Sequence, residues 1–152
     1  MKKYKVELTE RQLSTLSVAA EVIARLGTGQ WRSAFDWLPL RTEVNYSDYN
    51  DDLDAIGKIL SKYTHNNVNG WGSSLGISHD STPSISKVAW DLHQAFRHEL
   101  SWDYAIEEGY VESKKSPRNW SEMMGVNYDE PYMTSEEPLA IVEKAEESVK
   151  EL

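Results

Sequence analysis

Three stretches of this 152-residue chain carry side chains suited to holding a ligand. The first is Arg25-Leu26-Gly27-Thr28-Gly29-Gln30-Trp31. Two glycines let the backbone approach a ligand, the start of a following helix offers unpaired N–H groups to an anion, and Arg25 supplies fork-shaped donors for phosphate or carboxylate. It is not a Walker A loop, because no Gly-Lys-Ser/Thr follows, and not a dinucleotide fingerprint, because a helix rather than a strand precedes it. A tight helix–helix corner, with Arg25 compensating C-terminal carbonyls, is the alternative. The second stretch runs from Asn66 to Gly76. Asn66, Asn67, Ser73 and Ser74 suit the polar edge of a base or ribose, and Trp71 can stack on a ring; a plain connector is the alternative. The third is a helix face. At about 100° per residue, Trp90, Gln94, Arg97 and Ser101 share one side, with Asp91, His98 and Trp102 on a neighbouring flank. A tryptophan, an amide and a guanidinium in line can stack a flat ring and hold an anion, although the same face serves equally as a subunit interface or as ordinary surface.

Catalytic and metal chemistry find less support. Asp91 and His98 stand two turns apart with no serine or cysteine nucleophile implied beside them, so no catalytic residue is assigned and an enzyme is the less favoured reading. His93 and His98 are five apart and point to different helix faces, while His65 and His79 sit in loops. The adjacent acidic pairs Asp51-Asp52, Glu107-Glu108, Glu136-Glu137 and Glu146-Glu147 diverge on a helix. No metal or cofactor is expected.

The elements that must position these groups are mostly helices. Tyr4–Leu8 alternates apolar and polar residues and predicts a short strand or extended lead-in. Thr9 with Gln12 forms a capping-box pattern, and Leu13, Leu16, Ala20 and Ile23 predict a helix over 10–26 stopped by Gly27. Trp31, Ala34, Phe35 and Leu38 predict a second helix over 29–38, ended by Pro39. Residues 40–50, with Tyr46 and Tyr49, read as loop. Asn50 or Asp51 then caps a third helix, with Leu53, Ile56, Ile59, Leu60 and Tyr63 as its stripe. Thr82-Pro83 starts a fourth, to about Tyr104, with Ile85, Val88, Leu92, Phe96 and Leu100 as its apolar stripe. Residues 107–137 read as a long irregular connection, and Leu139, Val142, Ala145 and Val149 predict a final acidic helix over 136–151. The expectation is a mainly α, compact bundle of about four to five helices, with a helical core domain over 1–106. Residues 107–152 form the connection and an acidic helix that packs on the core or extends from it.

Composition narrows the partners. Twenty-five acidic residues against 16 basic ones give a net charge of -9, a poor match for duplex nucleic acid. Much of the acid follows residue 105, whereas Arg25 and Arg97 lie in the helical region. There is no cysteine, which excludes a disulfide scaffold and any cysteine-based zinc or redox site. No apolar run reaches the roughly 20 residues of a membrane span, and the first residues lack an apolar signal segment, so a cytoplasmic location is expected. Leu, Ile, Val and Phe make up only about a fifth of the chain. Six tryptophans and eight tyrosines accompany only two phenylalanines. Each large ring buries about 150–250 Å² and brings a polar handle suited to pockets and interfaces. Exposed Trp and Tyr imply a homo-oligomer, most simply a two-fold dimer.

Arg25-Leu26-Gly27-x-Gly29-Gln30-Trp31, then Ser74-Leu75-Gly76-Ile77, then Trp90-Asp91-Leu92-x-Gln94-x-x-Arg97-His98 resembles a group of small, largely uncharacterised tailed-bacteriophage accessory proteins. Their pattern is an early Arg-(Ile/Leu)-Gly-x-Gly-Gln and a late aromatic-Asp-x-x-Gln-x-x-Arg-His. The resemblance covers about residues 4–104 and carries no reaction. It implies an early, host-facing role in the host cytosol. Some phage proteins of this size sequester nucleotide immune signals of the cyclic dinucleotide or cyclic ADP-ribose class. The leading expectation is a counter-defence protein of that kind, binding without catalysis through Arg25, Gln30, Asn66, Asn67, Trp71, Ser73, Ser74, Trp90, Gln94, Arg97 and His98. An acidic inhibitor that docks on a host defence or nucleic-acid-binding protein is the alternative, and a nucleotide hydrolase is the third.

Overall fold

The first helix, α1 (Glu10–Thr28), starts where the sequence asks it to. Gln12 N–H donates to Thr9 Oγ1 at 3.2 Å, and Thr9 N–H donates to Gln12 Oε1 at 2.8 Å, closing the capping box. Its end differs from the sequence expectation. Gly29, at φ 97, is the left-handed residue that stops the helix, not Gly27. Gln30 N–H donates to Arg25 O at 2.8 Å and Gly29 N–H to Leu26 O at 3.1 Å, the Schellman closure. Gly27 stays helical and has another purpose: a Cβ there would lie 1.9 Å from Ser86 Oγ and 2.4 Å from Ser86 Cβ. The computed structural model describes residues 2–64, 75–116 and 130–145.

The helix expected over 29–38 is a 3-10 segment, Trp31–Trp37. The left-handed Gly29 redirects the chain, and the Ser33 hydroxyl donates to Gln30 O, which favours the tighter turn. Trp31, Arg32 and Ser33 are its buried residues, while Leu38 of the predicted apolar face is exposed, as is Trp37 beside it. The second α-helix, α2 (Tyr46–Leu60), begins earlier than Asn50 because Asn45 is the cap, its Oδ1 accepting from Ser47 N–H at 3.0 Å. Tyr46 and Tyr49 are therefore helical, not loop. An ion pair between Arg32 and Asp54 ties the 3-10 segment to α2.

The long helix α3 (Ser84–Glu107) runs antiparallel to α1: Ser17 meets His93, and Ile23 and Gly27 meet Ser86 further along. The seam between them is built from small and polar residues. Ala20, Ala24 and Ala89 form a buried cluster, flanked by Ser17, Ser86 and His93. The predicted leucine and isoleucine stripes are only partly in it, since Leu16, Ile23 and Ile85 are 44%, 43% and 65% exposed. Small side chains let the two backbones approach until Ser86 Oγ donates to Ile23 O at 3.2 Å, and that closeness rotates the larger apolar residues off the seam. A second cluster, Trp102, Ala105 and Val111 with Ile106, forms where Gly109, at φ 73, turns the chain back at the end of α3.

Residues 136–145 are not helical, contrary to the sequence expectation; residues 146–152 of that predicted helix lie outside the described residues. The polar groups of Tyr132–Ser135 are bound instead by side chains of α3, and Pro138 removes a further donor. Lys144 anchors the end of this segment near Asp103 and Glu107. Among the described residues the protein is thus a mainly α bundle, with three α-helices, the 3-10 segment and no strand. None of these helices is long and apolar enough to cross a membrane.

Candidate functional site

The C-terminal end of α1 and the first half of α3 enclose a cavity of about 200 Å³. Its walls are Ala24, Arg25 and Thr28 of α1, then Gln30, Ile77 and Trp90. Three of the ligand residues expected from sequence, Arg25, Gln30 and Trp90, therefore meet in one place. They meet because α1 closes at Gly29, which brings Gln30 beside Arg25, and because the end of the second candidate stretch meets α1, Leu75 N–H donating to Thr28 O at 3.0 Å.

The chemistry of Arg25 is different from that expected. Its Nε donates to Glu21 Oε1 at 2.8 Å, its Nη2 lies 2.6 Å from the same carboxylate, and its Nη1 donates to Gln30 Oε1 at 2.5 Å. The guanidinium charge is matched by Glu21 one turn earlier, and its fork orients the Gln30 amide. The cavity is thus nearly neutral, with an aromatic wall, apolar ends and oriented amide and hydroxyl groups. That suits a flat ring with hydrogen-bonding edges better than a bare anion.

Behind Trp90 lies His93, 4% exposed, with its ring centroid 5.4 Å from the indole. His93 Nδ1 is 3.0 Å from Ser17 O and 3.1 Å from Ser17 Oγ. A carbonyl can only accept, so Nδ1 carries the hydrogen and Nε2 carries a lone pair. Burial pushes His93 below the ordinary histidine range; the Ser17 carbonyl and the Glu21 charge oppose this, while Arg97 and Arg25 reinforce it. The ring is therefore held neutral. Nε2 of His93 and Nε1 of Trp90 are both buried without a hydrogen-bond partner among the described residues, one an acceptor and the other a donor. Orphans of this kind are uncommon in folded proteins; here two sit on adjoining rings of α3, and Trp31 Nε1, Arg32 Nε and Tyr49 OH are likewise without a partner among the described residues.

The opposite flank of α3 holds the chain's own C-terminal segment. Asp91 is 4% exposed and accepts from Thr134 N at 2.8 Å, Thr134 Oγ1 at 2.7 Å, Ser135 N at 3.0 Å and Ser135 Oγ at 2.6 Å. Gln94 grips Tyr132 on both sides, its Nε2 donating to Tyr132 O at 3.0 Å and its Oε1 accepting from Tyr132 N at 3.3 Å. Thr134 Oγ1 also reaches Lys87 O at 3.2 Å, and Glu130 lies 3.8 Å from His98. Lys87, Asp91, Gln94 and His98 make one helical stripe, and residues 130–135 form a strap along it.

Of the residues named from sequence, Gln94 and His98 thus face the strap, and Gln94 is committed to it. Arg97 stays half-buried on α3 with no acceptor among the described residues. Asn66, Asn67, Trp71, Ser73 and Ser74 lie outside the described residues. Asp91 and His98 do not orient one another, because each has its own contact in the strap. Sequence reasoning missed Glu21, although its i,i+4 spacing to Arg25 was there to read, and it missed Ser17, Ile77 and the Asp91–Thr134–Ser135 clamp, which have no local signal. Among the described residues no group of three or more His, Asp and Glu side chains is placed to hold a metal ion. No protein-family model matches the chain, and comparison with curated proteins and with solved structures finds no match.

Proposed function

We propose that this protein binds a small nucleotide-type molecule in the Trp90 cavity without transforming it, and that its role is to sequester that molecule. The observation that carries the reading is the meeting of Arg25, Gln30 and Trp90 around one cavity of about 200 Å³. That volume is below the roughly 300–1,000 Å³ of sites that enclose drug-sized ligands, so one ring system enters and the rest of the molecule lies outside. A purine or pyrimidine supplies a flat face for Trp90 and polar edges for Gln30 and Thr28. The sequestration role is an analogy: the chain resembles small tailed-phage accessory proteins, and other phage proteins of this size hold nucleotide immune signals made by the host.

Binding is favoured over hydrolysis by the state of the candidate catalytic groups. Asp91 is enclosed, its carboxylate accepting four hydrogen bonds from Thr134 and Ser135, and His98 lies 3.8 Å from the Glu130 carboxylate of the strap. Each of the two is thus engaged with the strap, and the Asp91 carboxylate has its acceptor positions filled. The test is to incubate purified protein with a panel of nucleotides, including cyclic dinucleotides and cyclic ADP-ribose isomers. The protein is then re-isolated, heat-denatured and the released small molecules identified by mass spectrometry. Intact ligand released by wild type and lost in Trp90→Ala supports the reading. A cleaved product, or no retained nucleotide, refutes it.

A second reading, protein binding, rests on a separate observation. The outer face of α1 and the 3-10 segment form an apolar groove of about 850 Å³ lined by residues that include Val18, Ala19, Val22, Ile23, Ala34 and Trp37. Trp37 is 64% exposed there. A second copy of the chain would bury this face most simply, and sedimentation of wild type against Trp37→Glu distinguishes a dimer from a monomer.

A further inference from the structure

Resting on the nucleotide reading, we propose that the ligand continues out of the Trp90 cavity along the valley between α1 and the strap, and that Arg97 holds its anionic end. The ligand is then a nucleotide whose phosphate lies one sugar away from the ring on Trp90, and a nucleoside 5′-monophosphate is the smallest probe of that arrangement.

The valley follows from which residues each neighbour occupies. Going round α3, Ser86, Ala89 and His93 face α1, and Lys87, Asp91, Gln94 and His98 carry the strap. Trp90 and Arg97 lie on the arc between these two stripes. They are seven residues apart on one line, about 10 Å along the axis at 1.5 Å per residue. Long helical side chains lean toward the N-terminus, so the Arg97 guanidinium leans back toward the turn of Trp90. A base on Trp90, a ribose in the valley and a phosphate at Arg97 match that separation.

Charge separates Arg97 from the other arginines near the seam. Arg25 is neutralised by Glu21, and Arg32 is paired with Asp54. Arg97 is half-buried and has no acceptor among the described residues. The Arg97 charge reaches His93 in the seam, which burial holds below the ordinary histidine range. Glu130 and His98 close the far end of the strap. A guanidinium that is partly desolvated and unmatched is the natural partner for a phosphate. The division of labour is therefore specific: Trp90 and Gln30 take the ring, Arg25 positions Gln30 through its fork, and Arg97 takes the anion.

The experiment compares the common ribonucleosides with their 5′-monophosphates by titration calorimetry on wild type, Arg97→Gln, Arg97→Lys and Arg25→Gln. For wild type the monophosphate of the preferred base should bind tenfold or more tighter than its nucleoside, roughly the worth of one charge-assisted contact. Arg97→Gln should abolish that advantage while leaving nucleoside affinity unchanged, and Arg97→Lys should restore part of it. Arg25→Gln should weaken nucleoside and monophosphate alike. Nucleoside binding with no phosphate advantage, or an advantage that survives Arg97→Gln, overturns the assignment of Arg97 and leaves the ring-binding reading standing. Binding of neither form overturns both. Thermal unfolding of each variant confirms that the fold is retained.

Discussion

Replacing Asp91 by alanine should release the strap and leave the α1–α3 seam intact. The carboxylate accepts four hydrogen bonds from Thr134 and Ser135, two from backbone N–H and two from hydroxyls. Hydrogen bonds to a charged group contribute about 1.5–3 kcal/mol each, and a simple sum would run to roughly 6–12 kcal/mol. That sum cannot be realised, because the strap can peel away and its donors then find water. The loss is bounded by the docking free energy of the segment, to which Gln94–Tyr132 and Thr134–Lys87 still contribute. A local destabilisation of about 2–4 kcal/mol is therefore expected, in the range of a broken buried polar network. Hydrogen exchange measures it directly. The Thr134 and Ser135 amides should exchange about 30- to 1,000-fold faster in Asp91→Ala than in wild type, while amides in the Ala20, Ala24 and Ala89 region keep their protection. Asp91→Asn should behave similarly, because one acceptor oxygen becomes an NH₂ group facing strap donors. Unchanged exchange at Thr134 and Ser135 would refute the clamp. Loss of protection throughout α3 would show that Asp91 supports the core instead of the strap.

Gly27→Ala should destabilise despite the better helix propensity of alanine. The new Cβ meets Ser86 Oγ at 1.9 Å and Ser86 Cβ at 2.4 Å, so the helices must separate; overpacking of about 1–3 kcal/mol, less about 1 kcal/mol of propensity gain, leaves a net loss of up to about 2 kcal/mol in chemical denaturation. Ser86→Gly in the same chain should recover most of it. His93 supplies a pH dependence. Its folded value lies below its ordinary value of 6.5, so the unfolded chain takes up the proton first as pH falls. Its contribution to stability is complete above about pH 6.5 and is lost as pH falls from there toward the folded value, and His93→Gln should flatten the urea-midpoint profile over that window.

The elements legible in the sequence were those with a local cause. Thr9 and Gln12 announced the start of α1, because capping is a matter of three or four consecutive residues; Pro83 marked the start of α3 to within a residue, but as its N-cap and not its first helical residue, with the Thr82 hydroxyl donating to Gly76 O instead of capping the helix. The apolar stripes misled because the seam is set by closeness. Gly27, Ala20, Ala24, Ser86 and Ala89 permit the approach of two backbones, and no one-dimensional pattern of large residues reveals that. Residues 136–145 of the predicted C-terminal helix are not helical. Just before them, Asp91 and Gln94 bind the backbone of residues 132–135 across more than 35 positions of sequence, a strap that no local pattern reveals. The candidate site was legible in its residue types and only half in its roles. Arg25, Gln30 and Trp90 do meet, but the i,i+4 partner Glu21 turns Arg25 from an anion ligand into a positioning group, and Gln94 is spent on the strap.

Ligand binding in the valley beside Trp90 is most directly tested at the buried indole itself. In ¹⁵N-labelled protein the six indole N–H signals can be resolved and that of Trp90 assigned by Trp90→Phe. Titration with the 5′-monophosphate that binds tightest should move the Trp90 signal in a saturable, one-to-one manner, with a smaller response at Trp37 on the outer groove. A Trp90 signal that stays fixed while the nucleotide binds, or while Trp37 alone responds, would contradict the site.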